Sequence, residues 1–372
     1  MTEGFSRRQA MVGLTATALA GSASAATPIP SGAVIRGVLR DYRPDELAGG
    51  ATLFHEHLST APDFLTRWGV AAREQRTYNL SKSDGVSPGP PVAPAPAGTA
   101  PTAPYFMRDV ALMTEEMAAA KRDGIACVVD GGHPDMGRDI NFLRTVSERS
   151  GMPIVAGGGF YSQPFYPREV LTWSEDQVFR AIMDQVRKEP IGAFGEIGSW
   201  DYISRDERKV FRAIARAQRA TGMPVFTHTG IPGKSALHQL DIFEDMGCDL
   251  SKICIGHLGD LNDPNVEVHK TVCRRGAFVG FDRQGGPGDA PQVTMVKKLI
   301  DDGFADNLLF ASDFASAAQL KRNNPAMGYA KTLTVFVPKV KAAGVSDAVL
   351  RQIMNDNPRR FLAFAPKMRR GG

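Results

Sequence analysis

The chain has 372 residues, 43% of them hydrophobic, and a formal net charge of +4 from 44 basic and 40 acidic side chains. That near balance gives no electrostatic case for nucleic-acid binding, and no apolar run approaches the roughly 20 residues of a membrane span. At this length the chain has room for a leader and long loops around one folded domain.

The amino terminus reads Ser6-Arg7-Arg8-Gln9, then a mildly apolar stretch from Ala10 to Leu19, then Ala23-Ser24-Ala25. A charged region, a greasy region and a small-residue cleavage site in that order predict a twin-arginine export signal over residues 1–25, cut after Ala25. The mature protein, residues 26–372, is then periplasmic or secreted, and the twin-arginine machinery is its transient partner. A disordered Ala-rich tail is the plainer alternative.

Eight short apolar runs follow, at Ala51–Phe54, Ala126–Asp130, Pro153–Gly157, Ile191–Gly195, Pro224–Thr227, Ile253–Gly256, Ala277–Asp282 and Leu308–Ser312. Helix-like stretches separate them. Alternating β-type runs and amphipathic segments signal βα units, and eight such units predict an α/β fold, a (β/α)8 TIM-type barrel. In that fold the site lies at the carboxyl ends of the strands, so residues far apart in sequence converge there. Between the first strand and its helix, the segment 81–104 is dominated by Pro, Ala, Gly and Ser. Prolines remove backbone donors and favour extended chain, so this stretch is expected as a surface insertion on the catalytic face, part of a lid or passive.

The candidate chemistry sits at the strand ends. In Phe54-His55-Glu56-His57 the strand alternation puts His55 and His57 on one side and Glu56 on the other. Two imidazoles on one side can hold a borderline metal such as Zn²⁺. Glu196, His228, His257 and Asp313 each close a later apolar run. Singly, each reads more safely as a structural residue; together they predict a two-metal hydrolase. Of the other histidines, His238 and His269 fall in helical stretches and read as surface or packing residues. His133, in Gly131-Gly132-His133-Pro134, lies nearer the mouth. The cysteines 127, 248, 254 and 273 lack paired metal-binding spacing; Cys127 and Cys254 are expected as buried thiols, and a disulfide is left open.

Taken in order, His55-Glu56-His57-Leu58, Val129-Asp130 with Gly137-Arg138-Asp139, Gly157-Gly158-Gly159-Phe160-Tyr161, Gly195-Glu196-Ile197-Gly198, Thr227-His228-Thr229, Gly256-His257, Phe281-Asp282-Arg283 and Ser312-Asp313 resemble the phosphotriesterase family of the amidohydrolase superfamily. The resemblance runs from about Val34 to the end. It implies two divalent metal ions, Zn²⁺ first with Mn²⁺, Co²⁺ or Ni²⁺ as alternatives. His55, His57 and Asp313 would hold the more buried ion and His228 and His257 the more exposed one. The bridging carboxylate in the best-known members is a carboxylated lysine. Here the position is Glu196, which reaches less far but offers the same two oxygens, as in subgroups with Gly-Glu-Ile-Gly at this place; a glutamate paired with a base at the rim is the structural alternative.

In this picture a metal-bridging hydroxide attacks the substrate and Asp313 accepts its proton. Phe281-Asp282-Arg283 resembles the Leu-Asp-Arg stretch of phosphotriesterase-like lactonases, and Tyr161 matches their tyrosine after strand 3. That implies a lactone or carboxylic ester substrate, with a phosphotriester as the alternative and a catalytically silent ligand-binding barrel as the rival from another class. Tyr161 would face the nucleophile or oxyanion, or merely pack; Arg283 would orient a carbonyl, or pair with an acid at the rim. Against the lactonase reading stands Glu196, where lactonases of the family usually carry lysine. Trp200 and Tyr202 would form an aromatic wall or pack under their loop, and the loops at Gly285–Gly288 and Phe314–Tyr329 would border the pocket. A homodimer is compatible with the resemblance.

Overall fold

A computed structural model describes residues 28–81, 105–230, 235–261 and 263–367. The export signal and all but the first residue of the 81–104 insertion lie outside the described residues. Eight parallel strands form the barrel: β1 (Ala51–Glu56), β2 (Ile125–Asp130), β3 (Ile154–Gly158), β4 (Ile191–Ser199), β5 (Val225–Thr229), β6 (Ile253–Ile255), β7 (Phe278–Phe281) and β8 (Leu308–Phe310). Each pairs with the next in sequence order. Every predicted run is therefore a strand, with ends displaced by a few residues.

The pleat divides the apolar residues into two layers. Phe54, Cys127, Val129, Val155, Ala193, Phe226, Cys254 and Leu309 fill the barrel interior. Leu53, Val128, Ile154, Ile191, Val225, Ile253, Val279 and Phe310 face outward and pack with the helices. The amino end of the barrel is covered by residues 33–47 and the carboxyl-terminal segment, where Val34 and Phe364 exchange backbone hydrogen bonds of 2.9 and 3.0 Å. Lys252 is buried against that segment, its ammonium donating to the Ala363 carbonyl at 2.5 Å.

The seam between β8 and β1 is closed largely by one side chain. Glu56 Oε1 accepts from Ser312 N at 2.8 Å, and Oε2 accepts from Ser312 Oγ at 2.6 Å and Phe314 N at 2.9 Å. Backbone bonds from Asp313 N to the His55 carbonyl (3.2 Å) and from His57 N to the Phe314 carbonyl (3.2 Å) complete it. Glu56 thus points away from the paired histidines, as alternation predicts, and fastens the last strand to the first. Burial pushes its carboxyl up to about 7, against the pull of the Ser312 and Phe314 donors.

Candidate metal centre

Local backbone irregularities aim the ligands. On β4, Phe194 pairs with Val225 but Ile197 with Thr227, so three steps on one strand match two on its neighbour. Such a bulge re-aims the side chain it carries, here Glu196. Gly195 has φ +151°, and a Cβ there would lie 2.4 Å from the Phe226 ring, so this position needs glycine. A similar slip lies between Leu53 and Glu56 on β1, next to His55.

At β6 and β8 the pleat stops earlier than the apolar runs suggest, and His257 and Asp313 stand beyond the strand ends with φ of +60° and +47°. Left-handed backbone at two non-glycine residues is strain of the kind that concentrates at functional sites. It turns both side chains toward the barrel axis.

All six predicted ligands meet. Glu196 Oε1 lies 3.2 Å from His57 Nε2; its Oε2 lies 3.4 Å from His55 Nε2, 2.9 Å from His228 Nδ1 and 3.3 Å from His257 Nε2. Asp313 Oδ1 lies 3.1 Å from His57 Nε2 and 3.7 Å from His55 Nε2. Among the described residues, two groups of these six side chains could hold a metal ion, His55-His57-Glu196-Asp313 and Glu196-His228-His257, with the donor atoms of each within 4.8 Å of one another and Glu196 common to both; a third group joins His55 and His257 to Asp282. The chemistry fits divalent cations: His55 Nε2 is buried with no hydrogen-bond partner and turns toward two carboxylates.

The electrostatics agree. Burial opposes ionisation of Glu196, yet the neighbouring His55 and His228 hold its carboxyl well below the ordinary range. Asp313 is held low against the same burial by His57, His55 and Arg283. Conversely, burial would lower His57, but its contacts with Asp313 and Glu196 raise it to about 10. Carboxylates that draw positive charge onto buried imidazoles create the environment a metal ion satisfies.

Asp282 is the residue that sequence reasoning missed. Its Oδ2 accepts from His55 Nδ1 at 3.0 Å and its Oδ1 from His257 Nδ1 at 2.7 Å, with the His257 backbone N–H a further donor at 3.2 Å. One buried carboxylate thus fixes the tautomer of a histidine from each set and leaves both Nε2 atoms facing the ligand cluster. The available signal was its position, since it closes an apolar run just as the ligands do.

Tyr161 is buried, with its hydroxyl 3.0 Å from His228 Nδ1. Burial and the nearby Glu196 and Asp313 keep its phenol protonated, raising it well above its ordinary value. Arg283 donates from Nε to Asp313 Oδ2 at 3.0 Å and from Nη1 to Asp260, so it pairs with acids at the rim. Trp200 is buried with its ring 6.0 Å from His228, whereas Tyr202 is 41% exposed. His269 packs at 5.7 Å against Phe281 and bonds the Leu258 carbonyl, His238 is exposed, and His133 is buried 6.5 Å from the Tyr161 ring. Gly285 takes φ +85° and Gly286 N donates to Asp289 Oδ1 at 3.1 Å, so that loop is tightly turned. The loop from Phe314 is tied down by Glu116, which accepts from Lys321 N at 2.9 Å and Arg322 N at 3.0 Å. All four cysteines are free thiols.

The chain is 30% identical over 261 residues to the phosphotriesterase homology protein of Escherichia coli, covering 68% of this chain and 88% of that protein. It is 30% identical over 267 residues to an aryldialkylphosphatase of Saccharolobus solfataricus, covering 67% and 84%, and 28% identical over 270 residues to the human N-acetyltaurine hydrolase, covering 67% and 76%. The crystal structure of the Escherichia coli homology protein, complexed with phosphate in its active site, superposes with a TM-score of 0.70 at 26% identity, over 86% of this chain and all of that one. A resiniferatoxin-binding protein from Rhodobacter sphaeroides superposes with a TM-score of 0.72 at 26% identity, over 90% and 96%. The phosphotriesterase family model itself matches residues 42–362. With the barrel and these ligand sets in place, the chain belongs to the phosphotriesterase family of metal-dependent hydrolases.

Proposed function

We propose that the protein is a binuclear metal hydrolase acting on a lactone or carboxylic ester. The observation that carries this reading is Glu196, one buried carboxylate within 3.4 Å of all four histidines and common to both ligand sets. Were two ions bound, Glu196 would be the ligand common to both, with His55, His57 and Asp313 holding one and His228 and His257 the other. Zinc suits the imidazole and carboxylate donors. Held by these residues, divalent ions would activate a water near neutral pH and polarise the substrate's oxygen.

The chain's own residues do the rest. Asp313 directs Oδ1 to the histidines while Arg283 holds Oδ2, and His57, His55 and Arg283 together keep the carboxylate ionised, ready to take a proton as attack proceeds. Tyr161 offers its hydroxyl beside His228, where it stabilises negative charge developing on the substrate's oxygen. Phe64 and Trp200, with the partly buried Trp68, pack into one apolar cluster with Tyr161, and both tryptophan rings lie beside His228. Similarity to hydrolases named for N-acetyltaurine supports an acyl centre, and similarity to an aryldialkylphosphatase keeps a phosphotriester as the second reading. Similarity to a resiniferatoxin-binding protein is what a ligand-binding barrel without turnover would rest on.

The test is hydrolysis of lactones, aryl esters, an N-acyl amide and an aryl dialkyl phosphate by metal-reconstituted protein lacking residues 1–25. Glu196→Ala and Asp313→Asn variants run alongside. Lactone or ester turnover lost in both variants supports the reading; phosphotriester turnover alone moves the assignment to the second one. Two bound metals with no turnover on the panel overturn the substrate class, and failure to bind metal overturns the mechanism. The twin-arginine leader belongs to the same proposal: periplasmic recovery of the full chain, abolished by Arg7→Lys with Arg8→Lys, is the expected result, and unchanged export refutes it.

A further inference from the structure

Trp68 lies on the helix Phe64–Ser81, which follows β1. Its indole N–H donates to the Tyr161 hydroxyl at 2.9 Å. Its ring stands 6.3 Å from His228, nearly perpendicular at 76°, and 6.3 Å from Trp200.

An indole nitrogen is a donor only, whereas a phenol oxygen both accepts and donates. With the indole filling one lone pair, the phenolic hydrogen must turn away from Trp68, toward the interior of the site. The nearest group there, His228 Nδ1, is directed at Glu196 Oε2 (2.9 Å) and His257 Nε2 (2.8 Å), the side on which it would hold a metal. Nδ1 is also the acceptor within reach of the Tyr161 hydroxyl, at 3.0 Å; with a metal on Nδ1 its lone pair would be taken, and the Tyr161 hydrogen would be left for a substrate oxygen beside His228.

We propose that Trp68 is a positioning residue which commits the Tyr161 hydroxyl to donating toward the reacting oxygen of a bound substrate. This rests on the role given to Tyr161 above, and it adds a residue from an element that supplies no metal ligand. A tryptophan serving only as an apolar wall would act through its ring. One serving as a donor acts through Nε1, and Trp68→Phe separates the two.

Two measurements test this. In a ¹⁵N spectrum the three tryptophans give three indole resonances, with Trp68 identified by its loss in Trp68→Phe. In Tyr161→Phe the Trp68 indole proton is expected to move upfield and exchange faster with solvent; an unchanged resonance and exchange rate overturn the proposal. In steady-state hydrolysis of whichever panel substrate is turned over, Trp68→Phe and Tyr161→Phe are each expected to lower kcat about five- to tenfold, the loss of roughly one hydrogen bond, with KM within about twofold. The double variant is expected to be no worse than the weaker single one. Impaired Tyr161→Phe beside a wild-type Trp68→Phe overturns the positioning role and leaves the Tyr161 reading standing. Unimpaired Tyr161→Phe overturns both.

Discussion

Replacing Asp282 by asparagine probes whether one carboxylate serves both ligand sets. In the folded protein Oδ2 accepts a hydrogen bond from His55 Nδ1 at 3.0 Å and Oδ1 one from His257 Nδ1 at 2.7 Å. The amide of Asp282→Asn has a single acceptor oxygen, and its NH₂ must face an N–H donor. One imidazole therefore loses a hydrogen bond to a charged group, about 1.5–3 kcal/mol, and the other exchanges a charged acceptor for a neutral one. Freed of a fixed tautomer, each Nε2 is a poorer ligand. Removing such a partner costs roughly 10- to 100-fold in metal affinity, or about 1.4–2.8 kcal/mol per ion. Because His55 and His257 belong to different sets, both equivalents of Zn²⁺ are expected to weaken. Chelator competition on the reloaded protein measures this, with Asp301→Asn at an exposed helix site as the control. Wild-type affinity for both equivalents refutes the reasoning, and weakening of one alone refutes the shared role.

Glu56→Gln tests the seam: the folded carboxyl, pushed up to about 7, keeps a proton that the unfolded chain releases near 4.5. Its contribution to stability is thus fully present below pH 4.5 and is lost as pH rises to about 7, on the order of 3 kcal/mol, so the variant's urea-unfolding stability should vary less than wild type between pH 5 and 7; an identical slope rejects this. Glu116→Ala leaves the Lys321 and Arg322 amides unpaired, which costs about 2 kcal/mol or more and should speed proteolysis within 314–329, and an unaltered cleavage rate removes the anchoring role. Burial pushes the thiols of Cys127 and Cys248 up to about 12, so a disulfide-exchange reagent should label the native protein slowly and all four cysteines once it is denatured; fast native labelling of Cys127 contradicts the burial.

Much of the barrel was legible because its strands are buried on both faces and read as apolar runs, such as Ile191-Gly192-Ala193-Phe194. The six candidate ligands stood out as polar residues closing those runs. Less legible was the exact end of a strand. Leu308–Ser312 reads as one run, but the pleat ends at Phe310, because Ser312 bonds to Glu56 and Asp313 adopts left-handed backbone. Arg283 had two readings in the sequence, and pairing with Asp313 and Asp260 is the one the fold displays.

By itself the sequence determined which residues are apolar, how they alternate, and which polar side chains interrupt them; those local properties specify the barrel and nominate its ligands. Only the tertiary structure decided who meets whom. Glu56 fastens Ser312 across 256 positions, Asp282 joins His55 to His257, and Trp68 reaches Tyr161 from another element. The reason is physical: burial follows from local pattern, but a hydrogen bond requires two atoms about 3 Å apart, and that proximity is set by strand register, bulges and closure of the barrel rather than by either residue's neighbours in the chain.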